Sequence, residues 1–188
     1  MKTVTVLVGS SRRGSINAAL ARAVEKLAAG RLAFTYVNIA DLPMYNDDLW
    51  ADPPQSVVAF KEEIARAEAL LFVTPEYNRS IPPLLSNALS WASKPYGKNV
   101  WVGKPAAVMG TTPGAIGTAV AQAHLRYVLT VLDMLVMGQP EVYFQTKPGL
   151  IDDDFTVTDE TTKAFLTTFV DRFAAFLDRV EVKTPVAA

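Results

Sequence analysis

Five short apolar or β-branched runs, Thr3 to Val8, Ala33 to Ile39, Ala69 to Thr74, Ala106 to Met109 and Glu141 to Phe144, alternate with stretches of helical periodicity. Such alternation predicts βαβ units and a parallel sheet. The runs around Val6, Leu71 and Val108 are almost continuously apolar, as central strands covered on both faces must be. Thr35, Tyr36, Val37 and Asn38 are more mixed, which places the second strand nearer an edge. Ile16, Ala19, Leu20, Ala23, Val24 and Leu27 form one helical stripe, with Ser15 as its N-cap. Asp52 ahead of Pro53, with Gln55 three residues on, predicts a capped second helix through Val57, Phe60 and Ile64. Ser80 before Pro82 and Pro83 predicts the start of a third. Val120, Ala123, Tyr127, Val131 and Leu135 mark a fourth, and Phe165, Phe169, Phe173, Phe176 and Leu177 a fifth, with Thr158 or Asp159 as its cap. Nothing along residues 1–188 reads as a linker, repeat or second block, so the expectation is a single α/β domain, a doubly wound sheet in three layers.

Composition narrows the chemistry. The net charge is -1 and charged residues are 20% of the chain, which lacks the basic excess that nucleic acid or an anionic membrane demands. The longest apolar runs are too short to span a bilayer, and Met1-Lys2-Thr3 leads into a strand without a signal-peptide pattern, so a cytoplasmic protein is expected. With no cysteine and one histidine, there is no thiol nucleophile and no ordinary zinc site. Redox chemistry in such a chain belongs to a bound cofactor.

The segment Gly9-Ser10-Ser11-Arg12-Arg13-Gly14-Ser15-Ile16-Asn17 lies where a central strand hands over to a helix. Three hydroxyls, two glycines, an amide and the N–H groups of a helix start suit a phosphate monoester. The spacing is neither G-x-x-x-x-G-K-[ST] nor G-x-G-x-x-G, which counts against an NTPase and an ordinary dinucleotide dehydrogenase. The same loop would also serve simply to cap the helix. Of Arg12 and Arg13, one can neutralise a phosphate while the other is solvated or meets the 2′-phosphate of NADPH.

Ligands of open α/β sheets bind beyond the carboxyl ends of the strands, and the next two such ends are equally distinctive. Thr74-Pro75-Glu76-Tyr77-Asn78-Arg79-Ser80-Ile81-Pro82 offers a rigid turn whose polar groups can meet the edge of an isoalloxazine while Tyr77 packs on the ring. Gly110-Thr111-Thr112-Pro113-Gly114-Ala115-Ile116-Gly117 offers hydroxyls and a floor that a flat ring can approach.

With these motifs the chain resembles the NADPH-dependent FMN reductases of the flavodoxin-like fold, particularly their quinone, chromate and azo-compound reductase branch, over nearly its whole length. Gly9-Ser10-x-Arg12-x-Gly14-Ser15-x-Asn17 is similar to the family's phosphate loop, Pro75-Glu76-Tyr77-Asn78-x-Ser80-x-Pro82 to its flavin-ring turn, and Gln122-x-His124-Leu125-Arg126 to its fourth-helix signature. The resemblance implies a flavodoxin-like three-layer sandwich with a five-stranded parallel sheet, order 2-1-3-4-5, and helices on both faces. It implies that Ser10, Arg12, Ser15 and Asn17, with Ile16 beside them, hold the phosphate and ribityl chain of FMN. Pro75, Glu76, Tyr77, Asn78 and Ser80 would line the ring, and Thr111, Thr112 and Gly114 would form its floor. NADPH or NADH would supply hydride through flavin N5 to a small-molecule acceptor in two steps, with no dedicated catalytic side chain, and the chain would assemble as a homodimer or homotetramer. The chain departs from many relatives at Pro82-Pro83, where they have Pro-Gly, at Gly117-Thr118, where they have Gly-Gly, and at Val120, where they have arginine.

Other residues admit plainer roles. His124 is read as interface or core hydrogen bonding rather than a catalytic base, and Glu76 as ring-edge or backbone positioning. Trp91, Tyr96 and Trp101 either rim a dimer interface or cap the core. Asp152-Asp153-Asp154 lacks the spaced ligands of a calcium loop and reads as a solvated turn. Two alternatives to a quinone reductase remain: a flavodoxin-type electron carrier and a reductase of free FMN. Against the carrier, acidic residues barely outnumber basic ones, 19 to 18, where docking to a basic partner would call for an acidic face.

Overall fold

The computed structural model describes residues 1–180; the last eight residues of the expected 1–188 domain lie outside the described part. The elements follow in the order β1 (Lys2–Val8), α1 (Ile16–Leu27), β2 (Leu32–Tyr36), a 3-10 turn (Asp47–Ala51), α2 (Gln55–Arg66), β3 (Ala69–Val73), α3 (Pro83–Ser93), β4 (Pro105–Thr112), α4 (Ala119–Val131), β5 (Leu135–Val136), β6 (Val142–Gln145) and α5 (Glu160–Arg179). All strand pairs are parallel, and the sheet order is β2-β1-β3-β4-β5, with β6 also on β4.

Alternation along the central strands sorts the core into two layers. Val4, Val6, Leu71, Val73, Ala107 and Met109 face α1 and α5, where Leu20, Val24, Phe169 and Phe173 are buried. Leu7, Leu70, Phe72, Ala106 and Val108 face α2, α3 and α4. Trp91 and Trp101 are fully buried in this second layer, so of the two readings they take the core. Their indole N–H groups donate to Pro43 O (2.7 Å) and Leu89 O (3.1 Å). Tyr96, by contrast, is exposed.

The expected fifth strand, Glu141 to Phe144, is β6, and a short strand that was not expected, β5, precedes it. β5 pairs with the beginning of β4 at Pro105 and Ala106, and β6 with its end from Met109 to Thr112. One sheet position thus takes two short segments, and β4 runs further than its apolar stretch predicts because β6 supplies backbone partners out to Thr112.

Helix starts differ from expectation at both proline pairs. Asp52 and Ser80 do not cap α2 and α3; the N-cap positions are Pro54 and Pro82, neither with a side-chain acceptor. A residue before proline is pushed out of the helical region, so the first proline of each pair stays outside: α2 begins after Pro54 and α3 at Pro83. Asp52 instead ends the 3-10 turn, which Asn46 caps. Ser15 caps α1 as expected, accepting from the Ala18 N–H at 3.3 Å, and Asp159 caps α5, accepting from the Thr162 N–H at 2.7 Å.

The fourth helix stops at Val131, and Leu135 belongs to β5. Its buried face is Ala121, Gln122, Leu125 and Leu129, not the expected stripe: Tyr127 and Val131 stand in solvent at 73% and 67% exposure. The helix carries apolar residues on both faces, so periodicity alone could not tell core from surface. Asp152 forms a local turn as read, accepting from Asp154 N and Thr156 N. Among the described residues no helix is long and apolar enough to cross a membrane, and no cluster of metal-ligating side chains occurs.

Candidate functional site

Parallel pairing brings the loops after β1, β3 and β4 to one edge of the sheet. Val8 lies beside Val73 and Val73 beside Met109 in register. The next residues continue the ladder, the Gly9 N–H donating to Val73 O and the Thr74 N–H to Met109 O. Between the three loops opens a cleft of about 270 Å³. Ten of the thirteen expected site residues line it: Ser10, Arg12, Ser15, Ile16 and Asn17 from the first loop, Pro75, Glu76 and Tyr77 from the second, and Thr111 and Thr112 from the third. Pro113 lines it as well and was missed; only its place next to Thr112 could have suggested it. Asn78 and Gly114 line an adjoining recess that shares Glu76 and Thr112 with the cleft. Ser80 lines neither. Arg12 is in the cleft wall and Arg13 is not.

The first loop presents donors. Ser15 spends its oxygen lone pair on the Ala18 N–H, which leaves its hydroxyl proton for a ligand at the start of α1, where the helix dipole favours an anion. Among the described residues the Arg12 guanidinium reaches only the Gly14 carbonyl, at 3.2 Å. Asn17 is 2% exposed, and its amide is committed to the chain itself: Nδ2 donates to Thr111 O and Oδ1 accepts from Thr111 N, both at 3.0 Å. It bolts the first loop to the end of β4. Beside that clamp the Thr111 hydroxyl is buried with no hydrogen-bond partner among the described residues, an orphan a ligand would satisfy.

The second loop turns tightly. Tyr77 and Ser80 exchange backbone hydrogen bonds, N to O at 3.2 and 2.9 Å, with Asn78 and Arg79 at φ 51° and 61° between them. Both central residues are left-handed, as a type I′ turn requires. Ser80 therefore closes the turn, and its hydroxyl lies 3.4 Å from His124 Nδ1 on α4. His124 is exposed, so the hydrogen bond it makes is a surface one, not a core one.

Glu76 is almost wholly buried, its side chain 5% exposed. One carboxylate oxygen accepts from the Val120 and Ala121 N–H groups, each at 3.0 Å, and the other from Arg79 at 2.8 Å. The backbone-positioning half of its expected role is what these contacts describe: Glu76 ties the second loop to the start of α4. Burial works against its ionisation, but the Ala121 N–H, the Arg79 hydrogen bond and charge, and the Val120 N–H outweigh it and hold the carboxyl below its usual range. Because the folded value is depressed, the ionised group stabilises the fold fully above its ordinary value near 4.5, and that contribution fades as pH falls through the native value. In thermal melts over pH 3 to 7, Glu76→Gln is expected to lie below wild type at neutral pH and to converge with it in acid. Parallel curves would refute this account.

The third loop is held from behind. Thr118 sits in the left-handed region at φ 70°, fully buried, where a β-branched residue is strained. Its hydroxyl accepts from Gln122 Nε2 at 2.9 Å, and the same nitrogen lies 2.7 Å from Val142 O. The departure from Gly-Gly at Gly117-Thr118 is thus absorbed by a hydrogen bond that fixes the threonine.

Comparison with known proteins agrees with this arrangement. The profile of the NADPH-dependent FMN reductase family matches residues 2–149. The chain is 49% identical over 174 residues to a 2-hydroxy-1,4-benzoquinone reductase of Burkholderia sp, covering 93% of this chain and 95% of that one. It is 47% identical over 176 residues to a quinone reductase of Pseudomonas putida, covering 93% and 94%. Among solved structures it is similar to FerB, a flavoenzyme NAD(P)H:(acceptor) oxidoreductase from Paracoccus denitrificans, at a TM-score of 0.93 and 50% identity over 95% of this chain and 98% of that one. With the sheet order, the three convergent loops and these similarities in agreement, the chain belongs to the NADPH-dependent FMN reductase family.

Proposed function

We propose that this protein is an FMN-dependent NAD(P)H:quinone oxidoreductase whose flavin sits in the cleft between the loops after β1, β3 and β4. The observation that carries the reading is that cleft itself, with hydroxyl and guanidinium donors at a helix start on one side and the unpartnered, buried Thr111 hydroxyl on the other. The donor set fits a phosphorylated, flat, polar-edged ring. Ser10, Arg12, Ser15 and the backbone at Ile16 would hold the phosphate, and Pro75, Glu76, Tyr77, Thr111 and Thr112 would frame the ring, with Asn78 and Gly114 at its rim. When bound, FMN supplies the redox chemistry, taking hydride from NAD(P)H and passing it to the acceptor in two successive half-reactions.

The residues then have separable jobs. Arg12 and the Ser15 hydroxyl neutralise and orient the phosphate. Asn17 and Glu76 fix the two flanking loops to β4 and α4, so donors meet the ring without reorganisation. Tyr77, 47% exposed, can cover the ring without closing off the open face where donor and acceptor take turns. Similarity to a benzoquinone reductase and to other quinone reductases favours a quinone as acceptor. The single domain, a cytoplasmic location and self-association belong to the same reading; the exposed Tyr127 and Val131 of α4 supply an apolar surface for a homodimer or homotetramer.

The test is purification followed by assay. The protein is expected to be yellow, to release FMN on denaturation, and to oxidise NADPH or NADH with 1,4-benzoquinone only when FMN is bound. Failure to bind FMN would overturn the reading, and yellow protein inert to both nucleotides would make it an electron carrier. Reduction of added FMN with no quinone turnover would make it a free-flavin reductase.

A further inference from the structure

Beside the proposed flavin cleft lies a recess of about 530 Å³ lined by Glu76, Asn78, Arg79, Thr112, Gly114, Ala115 and Ile116. Its one cation is Arg79, and the placement of that residue is unusual. It occupies the second central position of the Tyr77–Ser80 turn at φ 61°, where glycine is the unstrained choice and any side chain is disfavoured. The chain thus holds a guanidinium at the mouth of the site against the local backbone preference.

The guanidinium is also nearly unspent. Its side chain is 64% exposed and meets one oxygen of Glu76, while four of its five N–H donors have no protein partner among the described residues. Glu76, which also lines the recess, already accepts from Val120 N, Ala121 N and Arg79 and so anchors the guanidinium at the recess wall. Thr112 also lines the recess. FMN phosphate, if held at Ser10 to Ile16, is served from the first loop and does not call on Arg79.

We propose that this recess is a second anion subsite, with Arg79 as its cation, which takes the anionic group of the molecule that stacks on the open flavin face. Two sources carry that chemistry: the 2′-phosphate of NADPH, and the ionised hydroxyl of an acceptor. The subsite sets selectivity, not hydride transfer, and it rests on the reading of the neighbouring cleft as the FMN site.

The experiment uses Arg79→Asn, which tolerates the left-handed turn, and Arg79→Lys, which keeps the charge. Binding of 2′,5′-ADP and 5′-AMP to the FMN-loaded protein is measured by calorimetry, and kcat/KM is compared for NADPH against NADH and for an ionised hydroxyquinone against neutral 1,4-benzoquinone. If the phosphate is the ligand, wild type binds 2′,5′-ADP about tenfold more tightly than 5′-AMP, Arg79→Asn removes that preference, and the NADPH/NADH ratio falls about tenfold. If the acceptor is the ligand, only the hydroxyquinone ratio falls. Arg79→Lys restores part of either effect. The proposal is overturned if neither ratio moves, or if Arg79→Asn weakens all ligands and FMN equally, which would make Arg79 a turn residue only. Wild-type protein that fails to bind FMN is a different failure, that of the flavin reading, and is seen before any variant is compared.

Discussion

Replacing Asn17 with alanine is expected to weaken FMN binding by two orders of magnitude or more and to lower the stability of the fold by about 3 kcal/mol. The residue makes two 3.0 Å hydrogen bonds with both backbone polar groups of one residue, Thr111 N and Thr111 O, and it is 2% exposed. Alanine leaves that N–H and C=O without partners, and each buried group so orphaned costs about 1 to 3 kcal/mol. The local consequence is larger than the global one, because the clamp is what holds the first loop against the end of β4. Without it, Ser10 and Ser15 on one side and the Thr111 hydroxyl on the other have no fixed separation, and the preorganisation of the cleft is lost. Fluorescence titration of FMN and a thermal melt measure the two effects separately. Asn17→Asp discriminates further: its carboxylate can accept from Thr111 N, but its other oxygen then faces Thr111 O, so it should bind FMN no better than alanine. Near wild-type FMN affinity in either variant would mean that Asn17 holds nothing the ligand needs.

Asn17 also shows where reading a sequence succeeds and where it stops. The motif marked the residue, and the structure places it in the cleft wall, but its partner lies 94 positions away, a distance no local pattern spans. Glu76 is the same case: a carboxylate in a ligand turn was apparent, while its two N–H partners at the start of α4 were not. What depends on short-range physics was legible. The apolar central runs gave the strands, Ser15 and Asp159 gave two caps, and the alternation gave the parallel sheet. Local competition was harder to see. Two adjacent prolines each exclude the helical region from the residue before them, so the capping signals at Asp52 and Ser80 were overruled by stronger backbone constraints a residue or two further on. The face of α4 was ambiguous for another reason. Gln122 is fully buried while Tyr127 is exposed, because the glutamine amide finds Thr118 and Val142 inside; hydropathy ranks the two the other way. The split of the fifth sheet position follows from pairing with β4: the four-residue β6 matches the Glu141 to Phe144 run, whereas the two-residue β5 falls at the end of the expected fourth helix.

The same backbone crowding that fixes the third loop makes Gly110 hard to replace. A Cβ there would lie 2.2 Å from Thr74 O and 2.4 Å from Thr118 Oγ1. Neither atom can give way cheaply. The Thr74 carbonyl belongs to a residue whose own N–H is bonded to Met109 O in the sheet ladder, and Thr118 is pinned in the left-handed region by Gln122, which is bonded in turn to Val142. Gly110→Ala is therefore expected to cost about 3 kcal/mol or more, at the upper end of overpacking, and to lower Tm by about 10 °C for a chain of this size. Because the strain falls on the residue immediately before Thr111, the surviving folded protein should also bind FMN poorly. Gly138→Ala is the matched control: nothing lies within 4 Å of its Cβ position, and a shift of less than about 0.5 kcal/mol is expected. In the double variant with Thr118→Gly, the 2.4 Å contact disappears but the clash with Thr74 O does not, so recovery should be partial. Full recovery would place the whole cost on the threonine, and no loss in Gly110→Ala would show that the strand end yields where its hydrogen bonds say it is fixed.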